Sequence, residues 1–531
     1  MCLSIPTKLF LAPLLLLCIV IFPTVSATPD PIYYSSLNEI LYEDYSGIQH
    51  VDSSSPAWDI TGVAKNSVGD VFAAISCETV SCHYDGWKLL KNGSAIQGAS
   101  VQHINTVDVD IHDNVFFAVS NTVYQIAPSG GSASVAFSLS PEWTVTGANA
   151  DSEGNLFVSA VCEPNDCPVL ESRFYKNGSI IYVVFDEPIT DLSVDIRDNV
   201  YFSQGDGVYL VPSLLPTTPV RVHTDPNHWI IEGVGVDSQQ NILTVSACEG
   251  EASCPMTVIG NLYRGTTLLD TVANDYFTDV DVQPTLPVVL VHGIYSNDTI
   301  WNAFEAYYPG TTFAVGAVNG LPGLFPNNSD IHLLDDQLKS ALVQLKALSG
   351  YKKFDVVAHS MGGLVTRTYI ASNEYDNDVR RLIMLGTPNE GAPIADSWIA
   401  PFFGSLAGLD PADTARKQMN VGSLFIRELN AKNNDQKKRG VQYYSIAGTD
   451  LPNSLALVAL VCVAQPSYCQ GKVTDSIVPM SSVNFIGTCT HDGVTHTDAL
   501  GATYYTSPST LVAIHQLLTE GKNNLPRCPI A

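Results

Sequence analysis

One sequence pattern recurs six times between residues 60 and 281, and this repeat constrains the fold more than any other feature of the chain. Each copy starts with a short apolar and small-polar segment, which leads through an Asp or Asn into an apolar or aromatic strand. Successive copies start 41 to 46 residues apart, at Ile60, Ile104, Val145, Ile189, Ile231 and Phe277. A period of about 40–45 residues made of short strands is typical of a β-propeller with one four-stranded blade per copy.

The sixth copy is incomplete, because it ends soon after Asp281 and before the pattern changes. Residues 32–58, near the start of the chain, resemble the part that the sixth copy lacks. For example, residues 32–42 are similar to residues 200–210 of a complete copy. We therefore expect the N-terminal segment to supply three outer strands to the sixth blade. Such an exchange closes the ring and removes its open strand edges. The sequence predicts an all-β six-bladed propeller over residues 28–283.

The first 27 residues have the pattern of a secretory signal peptide. Lys8 precedes an apolar run over residues 9–22, and Val25, Ser26 and Ala27 form a small-residue cleavage site. No later apolar run is long enough to cross a bilayer, since residues 455–464 give about half the needed length. We expect a protein without a transmembrane anchor that is secreted or delivered to the lumen of the secretory or lysosomal pathway.

Ten of the twelve cysteines follow this signal, and an even number in an exported chain indicates disulfides. Alternate propeller copies carry closely spaced pairs, and the last pair follows by elimination. The expected disulfides are Cys77–Cys82, Cys162–Cys167, Cys248–Cys254, Cys462–Cys469 and Cys489–Cys528. Export also makes four glycosylation sequons relevant, at Asn92, Asn177, Asn297 and Asn327.

The formal charge of −27 disfavours nucleic acids and anionic membrane surfaces as partners, and its simplest role is solubility. Aspartates recur near the inner propeller strands, at Asp108, Asp110, Asp191, Asp195, Asp279 and Asp281. They could surround a cation on the propeller axis, but turn and capping roles explain them equally well. The sequence gives no ligand or partner for the propeller, and we predict no metal there.

From residue 284 to residue 531 the strands are separated by helices, which predicts a doubly wound, mostly parallel sheet. Residues 288–291 form a continuous apolar strand, and residues 330–348 have helical periodicity. Residues 354–359 form another apolar strand, which ends at Ser360. Ala358, Gly362 and Gly363 supply the small side chains that a nucleophile elbow needs, because strand and helix nearly touch at this turn.

A serine nucleophile needs a base and an orienting carboxylate, which follow it along the chain in this type of fold. Asp475 is the favoured acid because it lies in a polar turn before an apolar run, while Asp450 directly follows a strand. His496 is the favoured base. The alternatives are His491, which follows Cys489, and His515, which lies within an apolar helix.

The oxyanion that forms during ester cleavage needs two backbone N–H donors. Met361 follows the nucleophile and is one expected donor. Ile294, in the loop after the first strand, is the other, and Gly293 lets this loop turn tightly. His292 and His359 are expected to have supporting roles.

The C-terminal half resembles the α/β-hydrolase superfamily, and within it the bacterial-type lipases and esterases. The matching segments are Val291-His292-Gly293-Ile294, residues 357–363, residues 385–391, Tyr443-Tyr444-Ser445 and residues 475–479. The resemblance implies ester hydrolysis through an acyl-enzyme on Ser360, with an ester or lipid substrate and no required cofactor. It also implies a cap over about residues 395–440, where Trp398, Phe402 and Phe403 could contact an acyl chain together with Tyr295. Some relatives bind structural calcium near the histidine loop, where Asp492 and Asp498 occur.

Two alternatives remain at this point. Prolyl-oligopeptidase relatives also combine a propeller with a C-terminal α/β-hydrolase, so a propeller-gated serine peptidase has the same architecture. Their elbow and oxyanion loop differ from residues 292–294 and 358–362, which favours the esterase. The second alternative is a non-catalytic binding or adhesion protein whose propeller carries the function. The ordered set of serine, acid, histidine and oxyanion loop argues against it.

Overall fold

The computed structural model describes most of the chain: an N-terminal half built of β-strands and a C-terminal half built of strands and helices. The described residues are 30–36, 39–44, 47–53, 58–77, 86–99, 103–128, 130–213, 218–248, 259–273, 277–282, 285–308, 310–315, 328–392, 413–449, 475, 477–485, 487–496 and 503–528. Among these residues, no helix is both long and apolar enough to cross a bilayer.

Within the described residues, the N-terminal half forms six four-stranded antiparallel sheets, which confirms the predicted six-bladed propeller. The inner strands are β4 (Asp59–Lys65), β8 (Ile104–Val109), β12 (Thr144–Ala150), β16 (Ile189–Val194), β20 (Ile230–Val236) and β24 (Phe277–Val282). The outer strands of the first five blades are β5 (Val71–Cys77), β6 (Gly86–Lys91), β7 (Ser94–Ala99); β9 (Val115–Val119), β10 (Thr122–Ile126), β11 (Ser134–Ser138); β13 (Leu156–Cys162), β14 (Glu171–Lys176), β15 (Ser179–Phe185); β17 (Val200–Gln204), β18 (Gly207–Val211), β19 (Val220–Thr224); β21 (Ile242–Cys248), β22 (Ile259–Arg264) and β23 (Thr267–Ala273).

The sixth blade is built from both ends of the propeller sequence. β24 pairs with β1 (Ile32–Ser36), which is followed in the sheet by β2 (Glu39–Asp44) and β3 (Gly47–Ser53). Tyr34 lies opposite Val280 in the antiparallel register. Each inner strand packs against the next, and β24 packs against β4, so the ring is closed.

A polar residue near the start of an inner strand joins neighbouring blades. The Thr61 hydroxyl donates to the Ile104 carbonyl over 2.8 Å, and the Thr278 hydroxyl donates to the Ile60 carbonyl over the same distance. The residue after this position is glycine in alternate blades. A Cβ on Gly62 would lie 2.8 Å from the Val107 nitrogen, so these two inner strands can lie this close only because Gly62 has no side chain.

The C-terminal half contains a six-stranded, all-parallel sheet in the order β26-β25-β27-β28-β29-β30, which confirms the predicted α/β class. These strands are β25 (Val288–Val291), β26 (Thr312–Ala314), β27 (Phe354–His359), β28 (Val379–Leu385), β29 (Gln442–Gly448) and β30 (Cys489–Asp492). A 3₁₀ helix spans Asp298–Trp301. The α-helices are α1 (Asn302–Tyr307), α2 (Ile331–Ser349), α3 (Met361–Ala371), α4 (Thr414–Gln418), α5 (Leu424–Ala431), α6 (Asn433–Lys438), α7 (Met480–Val483) and α8 (Pro508–Glu520).

Both faces of this sheet are buried, as expected for a parallel sheet. Alternate residues such as Val356 and Leu382 pack with α2 and α3 on one face. Their neighbours, such as Val357 and Ile383, pack with Trp301 and α8 on the other face. The continuous apolar strands in the sequence follow directly from this two-sided burial.

The propeller contacts the hydrolase sheet at the amino ends of its strands. Gln442, the first residue of β29, donates from its side-chain amide to the Ser67 hydroxyl over 2.7 Å. Arg381, near the start of β28, donates to the Ser67 carbonyl. Ile196 of the propeller is buried in the same apolar cluster as Tyr351 and Phe354. Because Ser360 follows the opposite end of β27, these contacts lie at the far edge of the sheet from Ser360.

The structure pairs Cys162 with Cys167 and Cys489 with Cys528. Cys77 and Cys248 are also disulfide-bonded. Their expected partners Cys82 and Cys254, and the expected pair Cys462–Cys469, lie outside the described residues.

Asn92 and Asn177 occupy tight turns with positive φ, and their side-chain oxygens accept hydrogen bonds from the Val71 and Leu156 nitrogens. The Asn297 side-chain oxygen caps the 3₁₀ helix. Asn327 is outside the described residues. The first two sequons therefore have a structural reason to occur, and glycosylation remains a prediction for all four.

Candidate active site

Ser360 sits at a sharp turn between β27 and α3, with φ 54° and ψ −126°. This conformation is unfavourable for a residue with a side chain and must be held by the surrounding fold. The neighbouring glycines make the turn possible. A Cβ on Gly362 would lie 2.6 Å from the Val291 and His292 carbonyl oxygens, and a Cβ on Gly363 would overlap Thr387. Only glycine therefore lets α3 lie this close to β25 and the loop after β28.

The structure brings Ser360 together with His496 and Asp475. The His496 Nε2 atom lies 2.9 Å from the Ser360 Oγ atom, and its Nδ1 atom lies 2.7 Å from the Asp475 Oδ2 atom. All three side chains are buried, with Asp475 fully inaccessible to solvent. This is the arrangement in which a histidine can take the serine proton while a carboxylate fixes the ring orientation.

The Asp475 carboxylate is held by the backbone that follows it. Its Oδ1 atom accepts hydrogen bonds from the Ile477 and Val478 nitrogens, over 3.0 and 2.7 Å. The His496 nitrogen in turn donates to the Asp475 carbonyl over 3.0 Å. The acid loop and the histidine loop are thus joined by backbone as well as by side chain.

The two expected oxyanion donors lie on segments that meet at Ser360. Met361 is the first residue of α3, so the helix itself offers no acceptor for its N–H. Gly293 approaches the nucleophile so closely that a Cβ there would lie 2.9 Å from the Ser360 Cβ atom. Ile294 follows Gly293 and packs against the core, and Tyr295 next to it adopts a positive φ of 55°. The loop is thereby fixed beside the serine.

Two further histidines lie near the site and are held neutral by burial. Burial lowers the pKa of His292, whose Nδ1 atom lies 3.0 Å from the Gly293 carbonyl oxygen. Burial and the neighbouring His496 lower the pKa of His359 well below its usual value. The His359 ring centroid lies 4.8 Å from that of His496. One of these neutral imidazoles, His359, therefore packs against the histidine that contacts Ser360.

The other candidate residues lie elsewhere or cannot be placed. His491 is on β30, where its nitrogen donates to the Pro526 carbonyl. His515 is on α8 and packs edge-on against Tyr308. Asp450, and the proposed acyl contacts Trp398, Phe402 and Phe403, lie outside the described residues. Tyr295 is partly exposed, with 37% of its surface accessible.

Sequence analysis missed Arg367, a fully buried arginine on α3. Its guanidinium donates to the side-chain oxygens of Asn389, Asn430 and Asn433 over 2.8 Å each and stacks on Phe485. These contacts fasten α5 and α6, which lie in the predicted cap region, to the helix that carries the nucleophile. An arginine within an apolar helix was the only signal for this role.

No group of three metal-ligating side chains occurs within the part of the chain that the structure describes. Asp492, one of the two residues near a calcium site in some relatives, directs its Oδ2 atom at the Ser509 and Thr510 hydroxyls, each over 2.6 Å. These bonds outweigh burial and lower the pKa of Asp492. Asp498 lies outside the described residues.

Comparison with known families agrees with this geometry. The family model described as "Palmitoyl protein thioesterase" matches residues 287–441, which include Ile294, Ser360 and Met361. The chain is also 29% identical over 118 residues to a triacylglycerol lipase of Pseudarthrobacter phenanthrenivorans, covering 21% of this chain and 35% of the relative. It is 29% identical over 143 residues to a triacylglycerol lipase of Vibrio cholerae, covering 26% of this chain and 42% of the relative.

These matches are partial, because the chain spans only 35% of the length of the first of these relatives and 42% of the second. Among solved structures, a lipase of Bacillus licheniformis in its mature form is similar to 44% of this chain and 92% of its own, at 18% identity and a TM-score of 0.36. Together with the parallel sheet, the sequence matches show that the C-terminal half has an α/β-hydrolase-type fold and is similar in part to lipases and to a thioesterase family.

Proposed function

We propose that the α/β-hydrolase domain is a serine esterase that cleaves carboxylic esters of lipid-like acids through an acyl-enzyme on Ser360. The observation that carries this proposal is the continuous hydrogen-bonded chain from the Ser360 Oγ atom through His496 to Asp475. In this assignment Ser360 is the nucleophile, His496 the general base and Asp475 the carboxylate that orients it.

The proposed reaction has two halves. In the first half the Ser360 oxygen attacks the ester carbonyl carbon while His496 takes the hydroxyl proton through Nε2. The backbone N–H groups of Ile294 and Met361 stabilise the negative oxygen of the tetrahedral intermediate. The histidine then gives its proton to the leaving alcohol, and the acyl group stays on the serine. In the second half water attacks the acyl-enzyme, the acid leaves, and Ser360 regains its proton.

The substrate class is proposed from the relatives. Both the matching lipases and the matching thioesterase family are named for cleavage at an acyl carbonyl. Oxygen esters are our first choice, because the curated relatives are triacylglycerol lipases. Thioesters are a second candidate, favoured specifically by the family model over residues 287–441.

The position of the propeller argues against a propeller-gated peptidase. Its described contacts with the hydrolase involve Ser67 and Asp113 at the amino ends of β28 and β29, whereas Ser360 follows the carboxyl end of β27. A propeller at this edge does not lie over the nucleophile. The remaining alternative, a non-catalytic binding protein, leaves the hydrogen-bonded triad without a role.

We also propose that the protein is exported, because a signal-like segment precedes a disulfide-containing chain. Expression in a secreting host followed by N-terminal sequencing should give a mature chain that starts after Ala27. An intact N-terminus retained inside the cell would contradict export without affecting the catalytic assignment.

The catalytic proposal is tested with purified protein and three sets of acyl substrates. These are nitrophenyl esters of increasing chain length, acyl thioesters of the same acids, and peptide anilides. Ser360→Ala should abolish ester cleavage and labelling by a fluorophosphonate. The matched control is Ser445→Ala on β29, which removes a fully buried hydroxyl without a hydrogen-bond partner in the part of the chain that the structure describes. Ester cleavage that persists in Ser360→Ala, or a strong preference for the anilides, would overturn the proposal.

A further inference from the structure

Tyr504 lies beneath the proposed triad and contacts its acid directly. The Tyr504 hydroxyl donates to the Asp475 Oδ2 atom over 2.6 Å, the same oxygen that receives the His496 Nδ1 hydrogen bond. Tyr504 is completely buried. We propose that Tyr504 is a positioning residue that acts through Asp475, both by orienting the carboxylate and by limiting how strongly it stabilises a protonated His496. This inference rests on the proposed function.

The direction of the Tyr504 hydrogen bond is fixed by a second partner. The Gly448 nitrogen donates to the Tyr504 oxygen over 2.6 Å. A tyrosine hydroxyl has one proton, and the backbone N–H already occupies an acceptor site, so the tyrosine proton must point to Asp475. Burial and the neighbouring Asp475 raise the pKa of Tyr504 well above its usual value. The residue is therefore a neutral donor throughout the pH range in which an esterase works.

Two strand-end glycines make room for this pair. A Cβ on Gly386, after β28, would lie 2.8 Å from both the Asp475 Oδ2 atom and the Tyr504 ring. A Cβ on Gly448, at the end of β29, would lie 2.6 Å from the Asp475 Cβ atom and 2.9 Å from the Tyr504 oxygen. The tyrosine and the acid are thus packed against backbone on two sides, which leaves the Asp475 carboxylate a single position.

Within the described residues, the four hydrogen bonds of the Asp475 carboxylate divide into two kinds. The Ile477 and Val478 nitrogens hold Oδ1, while Tyr504 and His496 share Oδ2. Two donors on one oxygen compete for the same negative charge. The Tyr504 bond therefore weakens the attraction between Asp475 and the imidazolium that forms when His496 takes the serine proton. Removing the hydroxyl should strengthen that attraction and leave the ring protonated at a higher pH.

Other titratable groups lie near Tyr504 and Asp475, and their effect on the pH profile must be the same in the wild type and the variant. His359 lies on the elbow side, with its ring centroid 5.9 Å from that of Tyr504, and burial keeps it neutral. His292 faces His359 from the loop after β25. Asp492 at the end of β30 acts on Tyr504 electrostatically. None of these groups is altered by a change at Tyr504, so a shift in the pH profile reports the Asp475 bond.

The experiment compares Tyr504→Phe with Tyr308→Phe in the full-length protein, using a nitrophenyl ester. Tyr308 is a matched control because it is a buried tyrosine of the same domain whose hydroxyl has no hydrogen-bond partner among the described residues. We expect Tyr504→Phe to lower kcat about tenfold, since the lost bond is to a charged group. We also expect the acid limb of the plot of kcat/KM against pH to move up by about half a unit. Tyr308→Phe should change neither quantity.

Replacement of Tyr504 by 3-fluorotyrosine tests the same inference if the phenylalanine variant does not fold. The fluorinated phenol has the same shape and is a stronger donor, so the acid limb should move to lower pH. A limb that stays at the wild-type pH in the folded variants would overturn the inference. In an Asp475→Asn background, Tyr504→Phe should have little further effect, whereas a full tenfold loss there would show that Tyr504 does not act through Asp475. Failure of the proposed function itself is distinguishable, because it would appear as ester cleavage that survives Ser360→Ala.

Discussion

Gln442 donates a hydrogen bond across the domain boundary to the Asp113 carboxylate, over 2.8 Å. Gln442 is the first residue of β29, and the last residue of the same strand, Gly448, contacts Tyr504 beneath the proposed triad. One strand therefore connects the propeller contact to the active-site acid. The propeller contacts the amino ends of the sheet strands, and the proposed triad lies at their carboxyl ends.

We expect Gln442→Ala to destabilise the protein by about 1–3 kcal/mol, because its carboxamide bonds Ser67 and Asp113 of the propeller and also accepts from Arg381. Differential scanning calorimetry should show a lower melting temperature with little change in kcat at low temperature. The control is Gln516→Ala on α8, whose carboxamide oxygen accepts a hydrogen bond from the Asn524 nitrogen of the same domain. Equal losses in the two variants would contradict a special role for the interdomain contact.

Asp355→Ala should destabilise the protein more than Gln442→Ala, lowering the free energy of unfolding by about 3–5 kcal/mol. Asp355 is buried and receives two hydrogen bonds from Arg380, over 3.0 and 2.6 Å, with Arg381 close by. Its removal leaves two buried guanidinium groups without their counter-charge. Asp435→Ala breaks an exposed pair with Lys438 and should change stability by less than about 1 kcal/mol. Urea unfolding measures the free energy of unfolding of both variants. Similar losses of stability in the two variants would contradict the prediction.

Gly362→Ala should lower kcat/KM by about a hundredfold or more. The added methyl would lie 2.6 Å from the Val291 and His292 carbonyl oxygens and would push the oxyanion loop away from Ser360. Gly493→Ala is the control, because apart from its chain neighbours no atom of the described residues lies within 4 Å of a Cβ at that position. Ester kinetics and circular dichroism together distinguish a displaced loop from an unfolded protein. Normal kinetics in Gly362→Ala would show that the loop is not constrained as the structure indicates.

The choice between the two loop histidines can be tested directly. His496→Gln should reduce kcat by about 10⁴-fold or more, since the serine then has no base within hydrogen-bond distance. His491→Gln should retain activity within about threefold, because His491 lies on β30, which β28 and β29 separate from the strand that leads to Ser360. The measurement is kcat on a short-chain nitrophenyl ester for both purified variants. A larger loss in His491→Gln would reverse the assignment of the base.

The propeller should become less stable as the pH rises from 5 to 8. Burial raises the pKa of Asp279 to about 7 and that of Asp281 to about 6, both above the values of unfolded aspartates. The folded state therefore binds more protons than the unfolded state over this interval, and its stability falls as these carboxyls ionise. The melting temperature should decrease as the pH rises over this interval, and Asp279→Asn should make this decrease smaller. Asp166→Asn, on an exposed turn, should leave it unchanged.

Much of the architecture was predictable because it repeats or alternates along the chain. The period of 41 to 46 residues indicated the blades, and the incomplete sixth copy indicated the exchange that Tyr34 and Val280 now show in their paired register. Ser360 was identifiable because an elbow needs small residues at fixed offsets. Asp475 and His496 were chosen over alternatives from their loops alone, and the structure brings both within hydrogen-bond distance of one another.

Other features could not be found in this way because they depend on residues far apart in sequence. Tyr504 and Gly448 are separated by 56 residues, and Gln442 and Asp113 by 329. Arg367 binds amide side chains 22 to 69 residues away. None of these residues carries a local pattern that distinguishes it from an ordinary buried or surface residue.

The class of each half was readable from the sequence, and so was Ser360 as the candidate nucleophile, because strand periodicity and tight turns are local properties of the backbone. The contacts between residues distant in sequence depended on the tertiary structure. It placed the propeller at the amino edge of the sheet and aligned His496 with Ser360. It also put a buried tyrosine against Asp475, because burial and hydrogen-bond distance are set only when distant segments pack together.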